Sequence, residues 1–461
     1  MSSKHSNGLL MGIVVALLLG IGLVWVCSTI LQSNPEFEST YRSIIAVGSF
    51  FGKFFITALR MIIVPLILAS VITGISSLGD VRKIGSIGTK TICYFLSTTF
   101  MAVGLGLLLV VMFQPGKILS SALNVAEGEI VVMEGETIEE AEARVKMERF
   151  REMYGKQAKE QEMDSIREKE QVTVSDLLMS FVSPNIIKSF AEMDMLPIIL
   201  FSLILGGILT TLPREQGEPV IAFFRGLNEA MMAFINMVMY LAPVGIFGIL
   251  VDKFGTASLT PGGIRQMVEG VGSYSGVLLL GLAIHGCITL PTILWLLTKR
   301  NPFSFTYQMS PALLLAWSCS SSNATLPVTI KSAVERAGID EKAAGFVLPL
   351  GATVNMDGTA LYEAVAVIFI AQTYGVNLDG IQLFLVFITA TLASIGAAGV
   401  PQAGLVMMVI VLNSVGLPLE GIEMILLIDW FLDRFRTVVN VWGDCIGAAF
   451  VSNSLHWKQT A

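Results

Sequence analysis

Six long apolar stretches follow one another along the first 300 residues of this chain, at about 9–31, 44–77, 88–114, 186–212, 220–250 and 268–298. A helix that crosses a bilayer needs ~20 predominantly apolar residues, so the pattern specifies an all-α polytopic membrane protein. Charge agrees. Only 14% of the 461 residues are charged, against ~25% in a soluble domain. Of 29 basic and 36 acidic residues, 8 and 14 fall within 127–170, which leaves the rest of the chain nearly neutral. A secreted, nucleic-acid-binding or ordinary cytosolic protein is excluded. The first stretch is too long for a signal-peptide core and lacks a small-residue cleavage site, so it reads as a retained span. Cys27, Cys93, Cys287, Cys319 and Cys445 are scattered without CxxC spacing. With His5, His285 and His456 far apart, neither a disulfide framework nor a metal cluster is expected.

Short cytoplasmic loops are enriched in Lys and Arg. Arg82, Lys83 and Lys90 follow the second stretch, Arg214 the fourth, Lys299 and Arg300 the sixth, and Lys331, Arg336 and Lys342 flank a later loop. The loops around 32–42 and 374–380 are poor in basic residues. The N-terminus is therefore expected inside, and by alternation the charged insert at 118–175 outside. Its 136–170 portion has a helix-forming composition and reads as a solvated appendage, with a binding role as the alternative.

From 303 onward the apolar runs are broken by polar, Gly-rich and Pro-containing segments. Two are poor continuous spans: 311–328, PALLLAWSCSSSNATLPV, and 384–407, which contains ASIGAAGVPQAG. Each sets a run of small residues ahead of a proline, Pro327 or Pro401. Gly and Pro interrupt helical hydrogen bonding, and freed backbone groups at membrane depth are tolerated only where they are buried in protein or line a cavity. Two such tips suggest re-entrant helical hairpins; kinked ordinary spans are the alternative. Discontinuous segments in corresponding positions of two halves point to a transporter's binding site. Between them, GATVNMDGTALYEAVAVIFIAQ at 351–372 interrupts an apolar helix with Asn355, Asp357 and Thr359. An intramembrane carboxylate costs at least ~2.5–3.5 kcal/mol on insertion scales. Local unwinding here would aim carbonyls, Asn355 and Asp357 at a hard cation, which takes oxygen ligands. A purely structural polar pair is the competing explanation.

The last helix is the most informative. In IDWFLDRFRTVVNVWGD, Asp429, Asp433, Arg436, Thr437, Asn440 and Asp444 fall within an arc of about 100° at ~100° per residue. Arg434 lies off that stripe. A guanidinium grips a carboxylate in a bidentate fork, and a carboxylate can receive an ammonium or a metal ion. Together they match a zwitterion with an extra side-chain carboxylate. A self-neutralised ion-pair ladder between helices would use the same residues.

SSSNATLP, NMDGT, SIGAAGVPQAG and DRFRTVVNVWGD, in this order, together resemble the glutamate transporter family, the dicarboxylate and amino acid:cation symporters. The resemblance extends less specifically over the first six stretches; the insert at 118–175 has no aligned counterpart. It implies eight transmembrane helices plus two re-entrant helical hairpins, inverted repeats, a homotrimer, and a scaffold against which a transport domain moves like an elevator. The implied organisation is scaffold helices 1–2 at 1–77, helix 3 of the transport domain at 78–117 and the extracytoplasmic insert at 118–175. Scaffold helices 4–5 follow at 176–267, then the transport core at 268–455 and a short cytoplasmic tail at 456–461. Carried over by motif, the amino acid would be held by Ser322, Thr359, Gly399, Val400, Asp433, Arg436, Thr437 and Asn440. Asp433 would take the α-ammonium, Arg436 the side-chain carboxylate, and Asn440 with the hairpin tips the α-carboxylate. One implied sodium site comprises Gly351, Asn355, Asn440 and Asp444. A second comprises Thr353, Met356 and backbone at Ser394, Ile395 and Ala397, and a third Thr98, Thr99, Asn355 and Asp357. Some relatives have a tyrosine where this chain has Phe95, which affects the third. Ser320 where some relatives carry arginine, together with Arg434 and Glu363, is similar to the animal excitatory amino acid transporters. In those relatives the glutamate is the candidate proton carrier.

The expected function is thus symport of aspartate or glutamate with Na+, with H+ coupling open and no cofactor, in a membrane whose bacterial, inner-membrane character follows from the short C-terminus and compact loops. A neutral amino acid carrier would replace Arg436, and a four-carbon dicarboxylate carrier needs no Asp433. An ion channel would leave Arg436 and the hairpins without purpose. An intramembrane enzyme is disfavoured because Ser322 has no base in the pattern and His285 stands apart.

Overall fold

The computed structural model describes residues 3–76, 86–119, 179, 181–192, 194–259, 262–396 and 403–459. Arg82, Lys83, nearly all of the charged insert, and Ala397, Gly399, Val400 and Pro401 of the second expected hairpin lie outside the described residues. Those described form helices and connecting turns, and no strand is found among them.

The first apolar stretch is α1 (Ser3–Ser33). The second is α2 (Glu38–Arg60) and α3 (Ile63–Ser76), separated by one turn. The third is α4 (Ser86–Phe113). The fourth divides into a short α5 (Ile186–Glu192) and α6 (Met195–Thr211). The fifth, expected as one span, comprises α7 (Arg214–Met239) and α8 (Ala242–Ser258), bent by 56° at their junction. Pro243 explains the bend. It cannot donate to the Met239 carbonyl four residues back, and its ring crowds that carbonyl. The sixth comprises α9 (Gly263–Ile284), a wide π-helical turn at His285–Thr289, and α10 (Leu290–Thr298). Among the described residues five helical stretches are long and apolar enough to cross a membrane, and a sixth if α7 and α8 count as one bent span.

Beyond residue 300 a helix–break–helix unit and a second pair of helices flank a broken helix. α11 (Pro302–Cys319) starts with Pro302 at its first position and Asn301 as cap, whose Oδ1 accepts from the Phe303 and Ser304 amides at 2.9 and 3.2 Å; both features favour a helix start. It ends where Ser320 turns left-handed at φ 49°. Ser321 then caps α12 (Ser322–Lys331), its Oγ accepting from the Ala324 amide at 3.2 Å. The unit begins nine residues before the expected 311, with Pro311 absorbed into α11. At 1.5 Å per residue α12 is about 15 Å long, half of a ~30 Å hydrocarbon core. The helices of the second pair, α15 (Gly380–Gly396) and α16 (Ala403–Ser414), pack on each other as α11 and α12 do. Between the two pairs lie α13 (Glu341–Val354) and α14 (Asp357–Thr373), followed after the second by the 38-residue α17 (Ile422–Gln459).

α14 has no solvent-facing polar side, its few polar residues being buried with the rest, and is accordingly the central helix. Every residue from Asp357 to Ala371 is buried, and α4, α9, α15, α16 and α17 pack around it. A second group forms at the periphery, where α8 packs on α1 and α2, and α3 on α6 and α7. Large apolar side chains on the outside of that group, such as Trp25 at 69% and Phe50 at 63% exposure, face away from the protein, as a lipid surround requires. A buried ion pair joins the groups. Lys253 Nζ on α8 lies 2.6 Å from the Glu423 carboxylate on α17 and 3.3 Å from Asp252.

Candidate functional site

The site is organised by the break between α13 and α14. Asn355 and Met356 leave helical geometry, at φ −118°, ψ 81° and φ −112°, ψ 65°. Asn is a weak helix former because its side chain competes for backbone-like hydrogen bonds, and here the Asn355 amide turns to α17, donating to Asp444 Oδ1 at 3.1 Å. The unwinding is confined to these two residues. Asp357, expected within the unwound stretch, already opens α14. A helix start leaves amide N–H groups without partners, and Met356 provides no side-chain cap. Asn440 on α17 supplies it instead. Its Oδ1 accepts from the Gly358 and Thr359 amides at 2.8 and 3.3 Å, and its Nδ2 donates to Thr359 Oγ1 at 3.1 Å. The two helices can approach this closely because residue 358 is glycine: a Cβ there would lie 2.6 Å from the Arg436 carbonyl oxygen.

Beneath the break the oxygens converge. Asp357 Oδ1 accepts from Thr98 at 3.2 Å and Thr99 at 2.8 Å, both on α4. Thr98 also reaches Asn355 Oδ1 at 3.3 Å. Asp444 packs against Gly351, where any Cβ would collide with the carboxylate. Thr98, Thr99, Gly351, Asn355, Asp357, Asn440 and Asp444 are therefore brought together. Among the described residues no three His, Cys, Asp or Glu side chains converge as a metal cluster. The donor set is carboxylates, hydroxyls and side-chain amide oxygens, suited to a hard cation. Met356 is buried at the break. Thr353 and Ser394 each donate back to their own helix, to the Leu350 and Thr391 carbonyls at 3.0 and 2.8 Å. They and Ile395 sit on α13 and α15, which touch; Ala397 lies outside the described residues.

On the inner face of α17, Arg436 is fully buried. Its Nη2 donates to Asp433 Oδ1 at 2.8 Å, its Nη1 lies 3.0 Å from Asp429 Oδ1, and its guanidinium stacks 3.7 Å from the centroid of the Tyr362 ring. The approach to Asp429 lacks hydrogen-bond alignment, and Nε has no partner among the described residues. A guanidinium carries five N–H donors in a planar fork, so this one retains capacity for a further oxyanion. Asp433 and Thr437 are also buried. Gly404, at the start of α16, closes the site: its position lies against Arg436 Nη1, Thr359 and Tyr362. Ser322 opens α12, which touches α17. Gly399 and Val400 lie outside the described residues. Arg434 donates from Nη1 to the Trp317 and Ser318 carbonyls at 2.9 and 3.3 Å, satisfying the end of α11 from the neighbouring helix. Glu363 is fully buried, and neither carboxylate oxygen has a hydrogen-bond partner among the described residues.

Three residues escaped the sequence reading. His285, expected to stand apart, places Nε2 3.2 Å from Asp357 Oδ2. Tyr94, beside the buried Phe95, donates to the Gly443 carbonyl at 3.0 Å and so ties α4 to α17. Tyr362 supports Arg436; its signal was present, because residues three apart share a helix face and Thr359 lies three before it.

Long apolar helices around a central broken helix, with an oxygen-rich break beside a buried arginine, define the class: a polytopic integral membrane protein with a charged interior. The chain matches the model of the sodium:dicarboxylate symporter family over residues 7–454, and it belongs to that family. It is 38% identical to excitatory amino acid transporter 3 of Bos taurus over 468 residues, covering 97% of this chain and 85% of that protein. The human transporter 3 is 37% identical over 467 residues, with 97% and 85% covered. Excitatory amino acid transporter 1 of Ambystoma tigrinum is 36% identical over 481, with 98% and 84% covered. The chain is a multi-pass membrane protein of a sodium-coupled symporter family.

Proposed function

We propose that this protein is a secondary active symporter that takes up aspartate or glutamate, driven by the sodium gradient. The observation that carries the proposal is the fully buried Arg436, held by Asp433 with donors to spare, one helix face away from the oxygen cluster at Asn355, Asp357 and Asp444. Arg436 would grip the substrate's side-chain carboxylate, and Asp433 would turn from Arg436 to the α-ammonium. Ser322, Gly399, Val400 and Asn440 would hold the α-carboxylate, with Thr359 and Thr437 lining the site. Sodium would bind in three places: at Gly351, Asn355, Asn440 and Asp444; at Thr98, Thr99, Asn355 and Asp357; and at Thr353, Met356, Ser394, Ile395 and Ala397. Coupling follows from shared parts. Asn440 staples the start of α14 and faces the substrate, so cation ligation at the break and substrate binding order the same backbone. Glu363, four residues beyond Thr359, is the candidate for proton coupling.

The proposal includes a homotrimer in a bacterial inner membrane, both termini cytoplasmic, with eight crossing helices, α11–α12 and α15–α16 as re-entrant hairpins, and the peripheral helices as the scaffold of an elevator. Within the expected scaffold the bent α7–α8 pair would count as one crossing helix. The test is uptake of labelled aspartate, glutamate and succinate into proteoliposomes with Na+, H+ and K+ gradients imposed separately. Sodium-driven uptake of the amino acids over succinate is expected. Amino acid uptake indifferent to the sodium gradient, or succinate uptake alone, would overturn the proposal.

A further inference from the structure

His285 has no role in the proposed chemistry, yet its placement is specific. It opens the π-helical turn at His285–Thr289 that interrupts the sixth apolar stretch, and such turns recur at functional sites. The turn is held against α17: Trp442 Nε1 donates to the Gly286 carbonyl at 3.1 Å, and the bare Gly286 lies against Val439. The imidazole so placed is fully buried and meets Asp357 Oδ2 at 3.2 Å, while its Nδ1 has no partner among the described residues. An ionised carboxylate only accepts hydrogen bonds. Against such a carboxylate the Nε2 edge of the ring is the donating side of this contact. Asp357 is thus divided: Oδ2 is held by His285 from α9, and Oδ1 is turned to Thr98 and Thr99 on α4.

We infer that His285 is a positioning residue of the cation site, which fixes the Asp357 carboxylate so that Oδ1 and the two threonine hydroxyls form one oxygen face. The inference rests on the proposed sodium site at Asp357. Partners that orient a metal ligand from outside its shell typically contribute about ten- to a hundredfold in affinity, and His285 is expected to act on sodium rather than on the amino acid. The side-chain length supplies the control. A glutamine amide reaches as far as imidazole Nε2, whereas an asparagine amide reaches only as far as Nδ1.

The experiment measures, on purified substrate-free protein, the sodium concentration for half-maximal thermal stabilisation, with choline replacing sodium, and then aspartate affinity at saturating sodium. His285→Asn and His285→Leu should each raise the sodium requirement about ten- to a hundredfold. His285→Gln should restore it to near the parent value, and aspartate affinity at saturating sodium should stay close to the parent's in all three. Equal sodium requirements in His285→Gln and His285→Asn would overturn the positioning role, and that comparison stands even if His285→Leu fails to fold. Asp357→Asn is the companion variant. If it leaves the sodium requirement unchanged, the site itself is misassigned. If it raises the requirement while the His285 variants do not, the site stands and His285 is no part of it.

Discussion

Removing the Arg436 guanidinium would leave Asp429 and Asp433 on one helix face without the cation between them. Breaking a buried ion pair on one side costs about 3–5 kcal/mol. Arg436→Cys is therefore expected to lose acidic amino acid uptake by several hundredfold or more while retaining or gaining transport of small neutral amino acids. Near-parent aspartate affinity in competition uptake would count against it. The carboxylates sort by what they face. Asp357→Asn and Asp444→Asn should weaken sodium binding to substrate-free protein, whereas Asp433→Asn should weaken amino acid affinity and leave sodium binding largely intact; sodium titrations would expose the opposite sorting. Glu363, buried without a hydrogen-bond partner among the described residues, gives a third case. If it carries the coupled proton, Glu363→Gln removes the response of uptake to an imposed pH gradient at fixed sodium while substrate still binds. Arg436 and its neighbours were legible because a fixed 100° per residue sorts one helix by face. The His285–Asp357 contact was not, because it joins residues 72 apart in sequence, and local periodicity carries nothing about which helices become neighbours.

Among the elements, α14 depends on a cap that it does not contain. Asn440→Ala removes the acceptor for the Gly358 and Thr359 amides, and loss of a cap costs about 0.5–2 kcal/mol. Sodium and aspartate affinity should therefore fall together, by up to about thirtyfold, when each is followed calorimetrically; a loss confined to aspartate would reduce Asn440 to a substrate ligand. The sequence placed the interruption near Asn355 and Asp357 because polar residues and glycines break an apolar run there. It could not confine the break to Asn355 and Met356, since that depends on a side chain from α17. The same distinction applies to the helix–break–helix unit. Its tip before Pro327 was legible from small residues, but its true start at Pro302 rests on capping by Asn301 inside a run that reads as ordinary loop. The bend at Pro243 was missed because the apolar run continues through it.

Across the whole molecule, Lys253–Glu423 bridges the peripheral and central groups and is the shortest ion pair among the described residues. Buried pairs are poor sources of net stability, but removing one partner is strongly destabilising. Glu423→Gln leaves the Lys253 ammonium with only the more distant Asp252 and should lower the unfolding midpoint of detergent-solubilised protein. Adding Lys253→Met should recover much of that loss. A double variant no more stable than Glu423→Gln would show that the pair is not coupled.

The polar face of α17 also bears on how the protein is made. α17 is not among the helices long and apolar enough to enter a membrane on composition. Asp429, Asp433, Arg434, Arg436 and Asp444 explain why, since a charged residue at a helix centre adds ~2.5–3.5 kcal/mol to insertion. α17 is therefore expected to partition poorly into lipid as an independent segment. It would be admitted by helices already in place, and the groups that receive it, at Trp317, Asn355, Thr359 and Tyr362, all precede it in the chain. During synthesis the bundle would then act as a template that the last long helix completes, so that forming the binding site and finishing integration become the same event.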